Sequence, residues 1–141
     1  MKTAVVYWSG TGNTEAMAGS VAEGAKSAGA EVSVFTAADF SADMVDQFDS
    51  IAFGCPSMGS EQLEDSEFEP MFNACEAKLS GKKVGLFGSY GWGDGEWMRS
   101  WEETCTADGA VLVTESVICN DAPSDDAIAE CKALGAALAA V

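Results

Sequence analysis

Residues 3–14 read TAVVYWSGTGNT, and this stretch decides the fold class. An apolar run at 3–8 leads into a loop at 9–14 that holds two glycines, three hydroxyl side chains and one amide. Apolar residues with helical spacing follow over 14–28. An apolar run without polar alternation is typical of a strand covered by helices on both faces, as in a parallel sheet. The stretch therefore predicts the first strand–loop–helix unit of an α/β domain.

The same alternation of strand and helix continues along the whole chain. Further apolar runs predict strands at 31–35, 50–54, 83–88 and 111–118. Helical spacing predicts further helices at 66–79, 95–108 and 125–140, and a shorter helix or turn at 42–48. Such alternation requires right-handed crossovers and a parallel sheet. We therefore predict one three-layer α/β domain over 1–141, with a five-stranded parallel sheet of order 2-1-3-4-5 and helices on both faces.

Apolar stripes and capping residues support these helix assignments. The stripe of the 95–108 helix consists of Trp97, Met98, Trp101 and Cys105. Ser66 and Glu69 have the spacing of a capping box at the start of the 66–79 helix. Gly109 is predicted to end the 95–108 helix, and Ser124 to cap the last one.

Charge and residue types restrict the functions open to the chain. Seven basic and 23 acidic residues give a formal net charge of −16, which disfavours nucleic acid and anionic membranes and favours basic partner proteins. The chain has no histidine, which excludes histidine-based catalytic triads and most zinc sites. The apolar run at 4–8 is too short for the core of a signal peptide, and no run is long enough to span a membrane.

The five cysteines lack the spacing of a covalent or metal framework. Their number is odd and no two form a CxxC pair, which argues against a disulfide framework, a four-cysteine zinc site or an iron–sulfur cluster. We predict that each is a small buried apolar residue. Free thiols persist in reducing compartments, so we expect a cytoplasmic protein.

The 9–14 loop has the composition of a phosphate cradle. Its glycines permit a tight turn with exposed N–H groups, its polar side chains add neutral donors, and a helix N-terminus follows. It is not a Walker A loop, because no lysine follows the glycines, nor a dinucleotide fingerprint, because Glu15 replaces the third glycine. The loop suits a single terminal phosphate; the alternative is an ordinary turn between strand and helix.

Three other loops, at 55–65, 89–95 and 119–124, follow strands at the same edge of the predicted sheet. Met58 and Trp92 lie on two of these loops and offer apolar surfaces to a planar ligand. Alternatively, either residue anchors its loop on the core. A phosphate cradle combined with two such surfaces indicates a flat heterocycle on a phosphorylated tether, and flavin mononucleotide (FMN) is the natural candidate.

Three segments carry a resemblance to a known family. They are VYWSGTGNTE at 6–15, GCPSMGSEQLED at 54–65 and GKKVGLFGSYGWGDGEWMRSWEE at 81–103. With them the chain resembles the short-chain flavodoxins of the clostridial type over essentially its full length. The resemblance implies a flavodoxin-like fold and tightly but non-covalently bound FMN. It further implies a monomeric one-electron carrier of low potential, without catalytic residues, that shuttles between semiquinone and hydroquinone. Its partners would be ferredoxin- or flavodoxin-dependent oxidoreductases with basic docking surfaces.

The resemblance also assigns cofactor contacts. The residues concerned are Ser9, Gly10, Thr11, Gly12, Asn13 and Thr14; Pro56, Ser57, Met58, Gly59, Ser60 and Glu61; Ser89, Tyr90, Gly91, Trp92 and Gly93; and Cys119 and Asn120. The first group would bind the phosphate through backbone N–H groups and polar side chains. Met58 and Trp92 would cover the two faces of the flavin ring, and Glu61 would accept a hydrogen bond from flavin N3–H. Ser60 and Cys119 depart from the family pattern, which often has aspartate and an amide there.

The implied redox behaviour has a physical basis in these residues. Gly59 has no Cβ, so its peptide can turn its carbonyl toward flavin N5–H at low cost, which favours the neutral semiquinone. An anionic hydroquinone would form in a protein of charge −16 beside a phosphate, and Coulomb repulsion opposes it. We therefore expect two separate one-electron steps.

Acidic residues cluster near the predicted flavin loops. They are Glu61, Glu64, Asp65, Glu67, Glu69, Asp94 and Glu96. We interpret them as a surface that steers basic redox partners, for which a plain solvated face is the alternative.

Other functions of this fold class fit the sequence less well. A receiver domain needs an aspartate where Gly54 and Cys55 stand, and a small phosphatase needs an arginine in its phosphate loop, whereas Arg99 lies on a helix. A small FMN-dependent quinone reductase is the remaining alternative to an electron carrier.

Overall fold

The computed structural model describes residues 1–141, which form one parallel sheet between two layers of helices. Its strands are β1 (Lys2–Tyr7), β2 (Glu31–Thr36), β3 (Ser50–Gly54), β4 (Lys83–Tyr90), β5 (Val111–Leu112) and β6 (Val117–Asn120). Along the sheet the strands run β2-β1-β3-β4-β5, and β6 also pairs with β4. All pairs are parallel. The predicted fold class and strand order are confirmed.

The predicted strand at 111–118 is wrong in one respect, because two short strands replace it. β5 pairs with the start of β4 at Lys83, and β6 pairs with the end of β4 from Phe87 onward. The polar residues 114–116 lie between them, outside both strands. Ser116 Oγ donates instead to the Glu102 carboxylate at 2.7 Å. Side-chain hydrogen bonds of this kind compete with the strand ladder, and the chain leaves the sheet there.

The helices are α1 (Asn13–Ser27), α2 (Ala42–Val45), α3 (Phe68–Cys75), α4 (Glu96–Ala107) and α5 (Asp125–Ala139). Short 3-10 turns follow β2 at Ala37–Asp39 and α3 at Glu76–Lys78. Helices α1 and α5 cover one face of the sheet, while α3 and α4 cover the other, each over its own apolar core. The predicted stripe of α4 is entirely buried. None of the helices is at once long and apolar enough to cross a membrane.

The start of α3 differs from the predicted capping box. The Glu64 carboxylate, rather than Ser66, accepts the free N–H groups, from Ser66 at 2.9 Å and from Glu67 and Phe68 at 2.8 Å. Burial opposes the charge, but the hydrogen bonds from the Ser66 hydroxyl and these N–H groups lower the pKa of Glu64 to about 2. The capping residue, Glu64, lies farther from the start of α3 in the sequence than the first residue of a capping box does, because an irregular turn precedes α3.

The other two predicted helix ends are confirmed. Gly109 follows α4 with φ 84°, a conformation that favours glycine. Ser124 caps α5, since its Oγ accepts the N–H of Ala127 at 3.2 Å.

Helices α1 and α5 cross at unusually close range because each has a glycine at the contact. A Cβ at Gly24 would collide with the backbone carbonyl of Lys132. Similarly, a Cβ at Gly135 would collide with the carbonyl of Val21. This close crossing fixes α1, and therefore the loop that precedes it, against the sheet.

Candidate functional site

A cleft opens at the carboxyl ends of β1, β3 and β4, where a sheet of this order reverses direction. It encloses about 210 Å³. The lining residues are Trp8, Ser9, Gly10, Thr11, Asn13, Thr14, Pro56, Ser57, Met58, Ser89, Tyr90, Gly91 and Asp121. All of them except Trp8 and Asp121 are among the predicted cofactor-binding residues. The structure thus brings residues of all four predicted loops together around one cavity.

The 9–14 loop is folded by its own first side chain. Ser9 Oγ accepts the N–H of Gly12 at 3.1 Å and the N–H of Glu15 at 3.2 Å. Gly12 has φ 97° and directly precedes α1. Since Ser9 Oγ accepts two bonds inside the loop, only its hydrogen remains to be donated to a ligand.

The same loop presents several donors without a partner. The backbone N–H groups of Gly10, Thr11, Asn13 and Thr14 make no hydrogen bond within the chain. Thr14 is only 2% exposed, yet its hydroxyl also has no partner. A buried polar atom left unpaired is costly, so a ligand that supplies acceptors is expected here. A phosphate fits this requirement, because it offers several acceptor oxygens at a helix N-terminus.

The second wall of the cleft is a tight turn after β3. Met58 and Gln62 exchange two backbone hydrogen bonds, of 2.8 and 2.9 Å, and close a turn over 58–62. Gly59 and Glu61 both have positive φ, 55° and 54°. The turn holds the Met58 side chain at the cleft with 39% of its surface exposed. The N–H of Ser57 donates to the carbonyl of Ser89 at 3.0 Å, which joins this wall to the end of β4.

Not every predicted residue reaches the cleft. Those outside its walls are Gly12, Gly59, Ser60, Glu61, Trp92, Gly93, Cys119 and Asn120. Ser60 and Glu61 line a neighbouring groove between α3 and α4. There Glu61 Oε1 accepts the N–H of Glu96, the first residue of α4, at 3.0 Å. The structure therefore places this carboxylate at a helix N-terminus beside the cleft.

The loop after β4 has a buried and an exposed aromatic residue. Tyr90 lines the cleft and packs on Trp97, with 5.5 Å between ring centroids. Trp92 lies between two glycines and is 64% exposed. An aromatic side chain this exposed is free to cover a planar ligand at the mouth of the cleft.

The residues after β4 and β6 are linked at the third wall. Ser89 Oγ donates to the Asp121 carbonyl at 2.6 Å, and the N–H of Asp121 donates to the Tyr90 carbonyl at 2.8 Å. Asp121, with φ 57°, lines the cleft. Asn120 is exposed, and its side chain donates to the same Tyr90 carbonyl at 3.4 Å. The Cys119 thiol instead packs in the core, 3.5 Å from the sulfur of Met17.

Sequence reasoning missed two residues of the cleft, Trp8 and Asp121. Trp8 belongs to the apolar run and was predicted to be part of the first strand, but β1 ends at Tyr7. Asp121 follows a strand that continues to Asn120, two residues beyond its predicted end. The correct end of β1 would have placed Trp8 in the first loop, whereas Asp121 lies in the predicted 119–124 loop, from which Cys119 and Asn120 were chosen instead.

The cysteines lie in the core, as predicted, and all five are unpaired. Cys55 follows β3, and its sulfur accepts the N–H of Glu64 at 3.3 Å. Burial raises the pKa of the Cys55 thiol to about 12. A thiol with this pKa remains protonated and unreactive at neutral pH.

Comparison with known proteins agrees with this geometry. The flavodoxin family model matches residues 5–135. The flavodoxin of Megasphaera elsdenii is 51% identical, with 96% of both chains covered. The flavodoxin of Clostridium beijerinckii is 46% identical, with 96% of this chain and 97% of the relative covered. The solution structure of two-electron reduced M. elsdenii flavodoxin superposes with a TM-score of 0.91 over 99% of both chains. The chain therefore belongs to the flavodoxin family, whose members are FMN-binding electron-transfer proteins and not enzymes.

Proposed function

We propose that this protein carries single electrons at low potential between redox enzymes, using FMN held non-covalently in the cleft. Bound FMN supplies a ring that can take up and release one electron at a time. The observation that carries the proposal is the set of unpaired donors in the 9–14 loop, including the buried Thr14 hydroxyl, at one end of the cleft. These donors match a phosphate, and the remaining walls offer apolar surface next to it.

The 9–14 loop holds the phosphate with neutral donors only. Backbone N–H groups of Gly10, Thr11, Asn13 and Thr14 point to no acceptor of the chain itself. The side chains of Thr11, Asn13 and Thr14 line the cleft and add donors. The N-terminus of α1 contributes partial positive charge. Without a basic residue in the loop, the phosphate keeps its negative charge near the ring.

The apolar walls of the cleft position the flavin ring. Met58 would cover one face of the ring and Trp92 the other. Pro56, Ser57 and the residues Ser89–Gly91 line the cleft and would contact the remainder of the ligand. Asp121 lines the third wall, which Cys119 and Asn120 precede at the end of β6. Gly93 lets the Glu61 carboxylate pack closely, since a Cβ at Gly93 would lie only 2.5 Å from it.

The 58–62 turn would supply acceptors for the N–H groups of the ring. The Gly59 carbonyl would accept a hydrogen bond from flavin N5–H. Gly59 has φ 55°, and no atom of the protein lies within 4 Å of the place where a Cβ would stand. Glu61 would accept a hydrogen bond from flavin N3–H through the carboxylate oxygen that does not accept the Glu96 N–H. Ser60 lies between Gly59 and Glu61 and carries no charge that would alter these hydrogen bonds.

Charge sets the low potential. The chain has a formal net charge of −16, and Asp121 is one of the residues that line the cleft. A second electron on bound FMN would add negative charge beside its phosphate and near these acidic residues. Coulomb repulsion and the apolar walls both oppose that step, so it requires a stronger reductant than the first.

Partner enzymes dock through basic surfaces. Asp65, Glu67, Asp94 and Glu96 are exposed around the cleft and attract positive charge. Glu64, predicted to be part of this surface, is only 5% exposed and caps α3, so it does not contribute. Electrostatic attraction of this kind accelerates association and weakens as salt is added. The protein works as a cytoplasmic monomer that exchanges between ferredoxin- or flavodoxin-dependent oxidoreductases.

The test is electron delivery by the FMN-loaded protein. The chemically reduced protein is mixed with a flavodoxin-dependent oxidoreductase in a stopped-flow instrument over a series of salt concentrations. We expect rapid oxidation of the flavoprotein, with a rate that falls steeply as salt rises. Absence of electron transfer would contradict the role of electron carrier. A transfer rate that does not depend on salt would contradict the acidic docking surface. Direct oxidation of NAD(P)H by the pure protein would instead identify a quinone reductase.

A further inference from the structure

The indole of Trp8 is in close contact with the 9–14 loop. A Cβ at Gly10 would lie 3.1 and 3.2 Å from two carbon atoms of the indole ring. Gly10 is therefore in contact with the ring edge, and a larger residue would push the loop away from it. Trp8 lines both the cleft and the groove on the opposite side of the loop, so it forms the support on which Gly10 rests.

The indole is itself held by a residue distant in sequence. Trp8 Nε1 donates a hydrogen bond to Glu67 Oε1 at 3.0 Å. It is the only side-chain hydrogen bond that joins residues 8–14 to a segment distant in sequence, because the Ser9 bonds reach only Gly12 and Glu15. Elsewhere the segment is anchored by the backbone of Trp8, whose N–H donates to the Gly54 carbonyl at 3.0 Å.

Glu67 has a fixed position although its side chain is exposed. It directly precedes α3, and its N–H donates to the buried Glu64 carboxylate at 2.8 Å. The next residue, Phe68, is fully buried in the core. The acceptor of the indole bond is thus tied to the core through two neighbouring contacts.

We propose that Trp8 and Glu67 are positioning residues for phosphate binding, through the indole–carboxylate hydrogen bond that sets the place of Gly10 and the N–H groups beside it. This inference rests on the proposed function. Donors of a preorganised site act fully only when held close to their working geometry. Loss of the bond therefore weakens binding of the phosphate while leaving the apolar ring site intact.

The comparison of FMN with riboflavin, which has the same ring but no phosphate, isolates this effect. Glu67→Gln and Glu67→Leu both remove the negative charge, but only glutamine keeps an acceptor for the indole. We expect the Kd of FMN to be about fivefold higher for Glu67→Leu than for Glu67→Gln, which corresponds to one hydrogen bond. The Kd of riboflavin should be the same for both variants.

Two controls accompany this measurement. Glu69→Gln and Glu69→Leu form the first control, because Glu69 lies on the first turn of α3 and its side chain makes no hydrogen bond. These two variants should have the same Kd for FMN. Trp8→Phe, which removes both the donor and the ring atoms beside Gly10, should weaken FMN binding at least as much as Glu67→Leu. The double variant Trp8→Phe/Glu67→Leu should bind FMN no more weakly than Trp8→Phe alone.

The possible results separate the inference from the function on which it rests. Equal FMN affinities for the two Glu67 variants would overturn the positioning role. The same is true if Glu67→Leu weakens the binding of riboflavin as much as the binding of FMN. If the unsubstituted protein fails to bind FMN more tightly than riboflavin, the phosphate site itself is wrong and the proposed function fails with it.

Discussion

The carboxylate of Glu61 accepts a hydrogen bond from the backbone N–H of Glu96 at 3.0 Å, which ties the 58–62 turn to the first turn of α4. The N-terminal N–H groups of a helix need acceptors, and α4 has no other side-chain cap. One residue thus stabilises a helix and fixes the turn that carries Met58. Glu61 thereby links helix stability to the geometry of the cleft.

Replacing Glu61 tests this link. Glu61→Ala removes the acceptor and should lower the free energy of unfolding of the apoprotein by about 1 kcal/mol, the usual cost of losing a helix cap. Glu61→Gln keeps an acceptor and should lose less. Urea unfolding followed by circular dichroism measures both, with Glu103→Ala on the exposed side of α4 as the control. Equal loss for Glu61→Ala and Glu103→Ala would contradict the capping role.

The Thr14 hydroxyl is expected to bind the FMN phosphate. Thr14→Val keeps the size of the side chain and removes its buried, unpaired hydroxyl. We expect FMN affinity to fall about tenfold or more, as for a lost hydrogen bond to a charged group. Riboflavin affinity should not change, and Thr14→Ser should retain most of the FMN affinity. Fluorescence titration of the apoprotein gives these constants; an unchanged FMN affinity in Thr14→Val would exclude the hydroxyl from the site.

Close packing between α1 and α5 predicts opposite effects for two glycine substitutions. Gly135→Ala places a methyl group against the backbone of Val21 and should destabilise the fold by roughly 1–3 kcal/mol, as overpacking does. Gly19→Ala, on the exposed side of α1 with no atom within 4 Å, should stabilise it by up to about 1 kcal/mol. Thermal unfolding of the two apoproteins measures the difference. A stabilising Gly135→Ala would show that the helices are not in close contact.

A pair of carboxyl groups far from the cleft predicts a dependence of stability on pH. Burial and the adjacent Asp108 carboxyl raise the pKa of Glu76 to about 7. The folded state therefore holds this proton more tightly than the unfolded chain. Its contribution to stability is complete below the ordinary pKa of about 4.5 and is lost as pH rises through about 7.

The variant Glu76→Gln removes this dependence, because glutamine can still donate to Asp108 but does not titrate. We expect it to be more stable than the natural protein at pH 8 and to show no such advantage near pH 5. Urea unfolding of both proteins across this range measures the difference. Parallel curves for the two proteins would contradict a shared proton.

The sequence predicted those features that depend on local pattern. Apolar runs located the strands, and the spacing of Trp97, Met98, Trp101 and Cys105 identified the buried face of α4. The unusual concentration of polar residues and glycine in the 9–14 loop identified a segment that lines the cleft and has unpaired donors. These features are encoded over short stretches, where periodicity and residue type are sufficient evidence.

The features that sequence reasoning missed depend on contacts between distant segments. Glu64, rather than Ser66, caps α3 because the preceding turn folds back, and no local motif encodes that turn. The Glu61 carboxylate reaches α4 only because the sheet places the two loops side by side. Trp8 lies at the cleft because β1 ends one residue earlier than predicted, and Asp121 lines the cleft in place of Cys119 and Asn120 because β6 includes those two residues. Ends of elements are the least certain part of any pattern, and here they determine which residues face the ligand.

Stepwise reduction of the FMN-loaded protein by dithionite, followed in its visible spectrum, shows whether the protein carries single electrons. We expect a long-wavelength band that grows over the first electron equivalent and disappears over the second, with the second step at a distinctly lower potential. Bleaching of the flavin in one unresolved two-electron step, as in free FMN, would contradict a one-electron carrier.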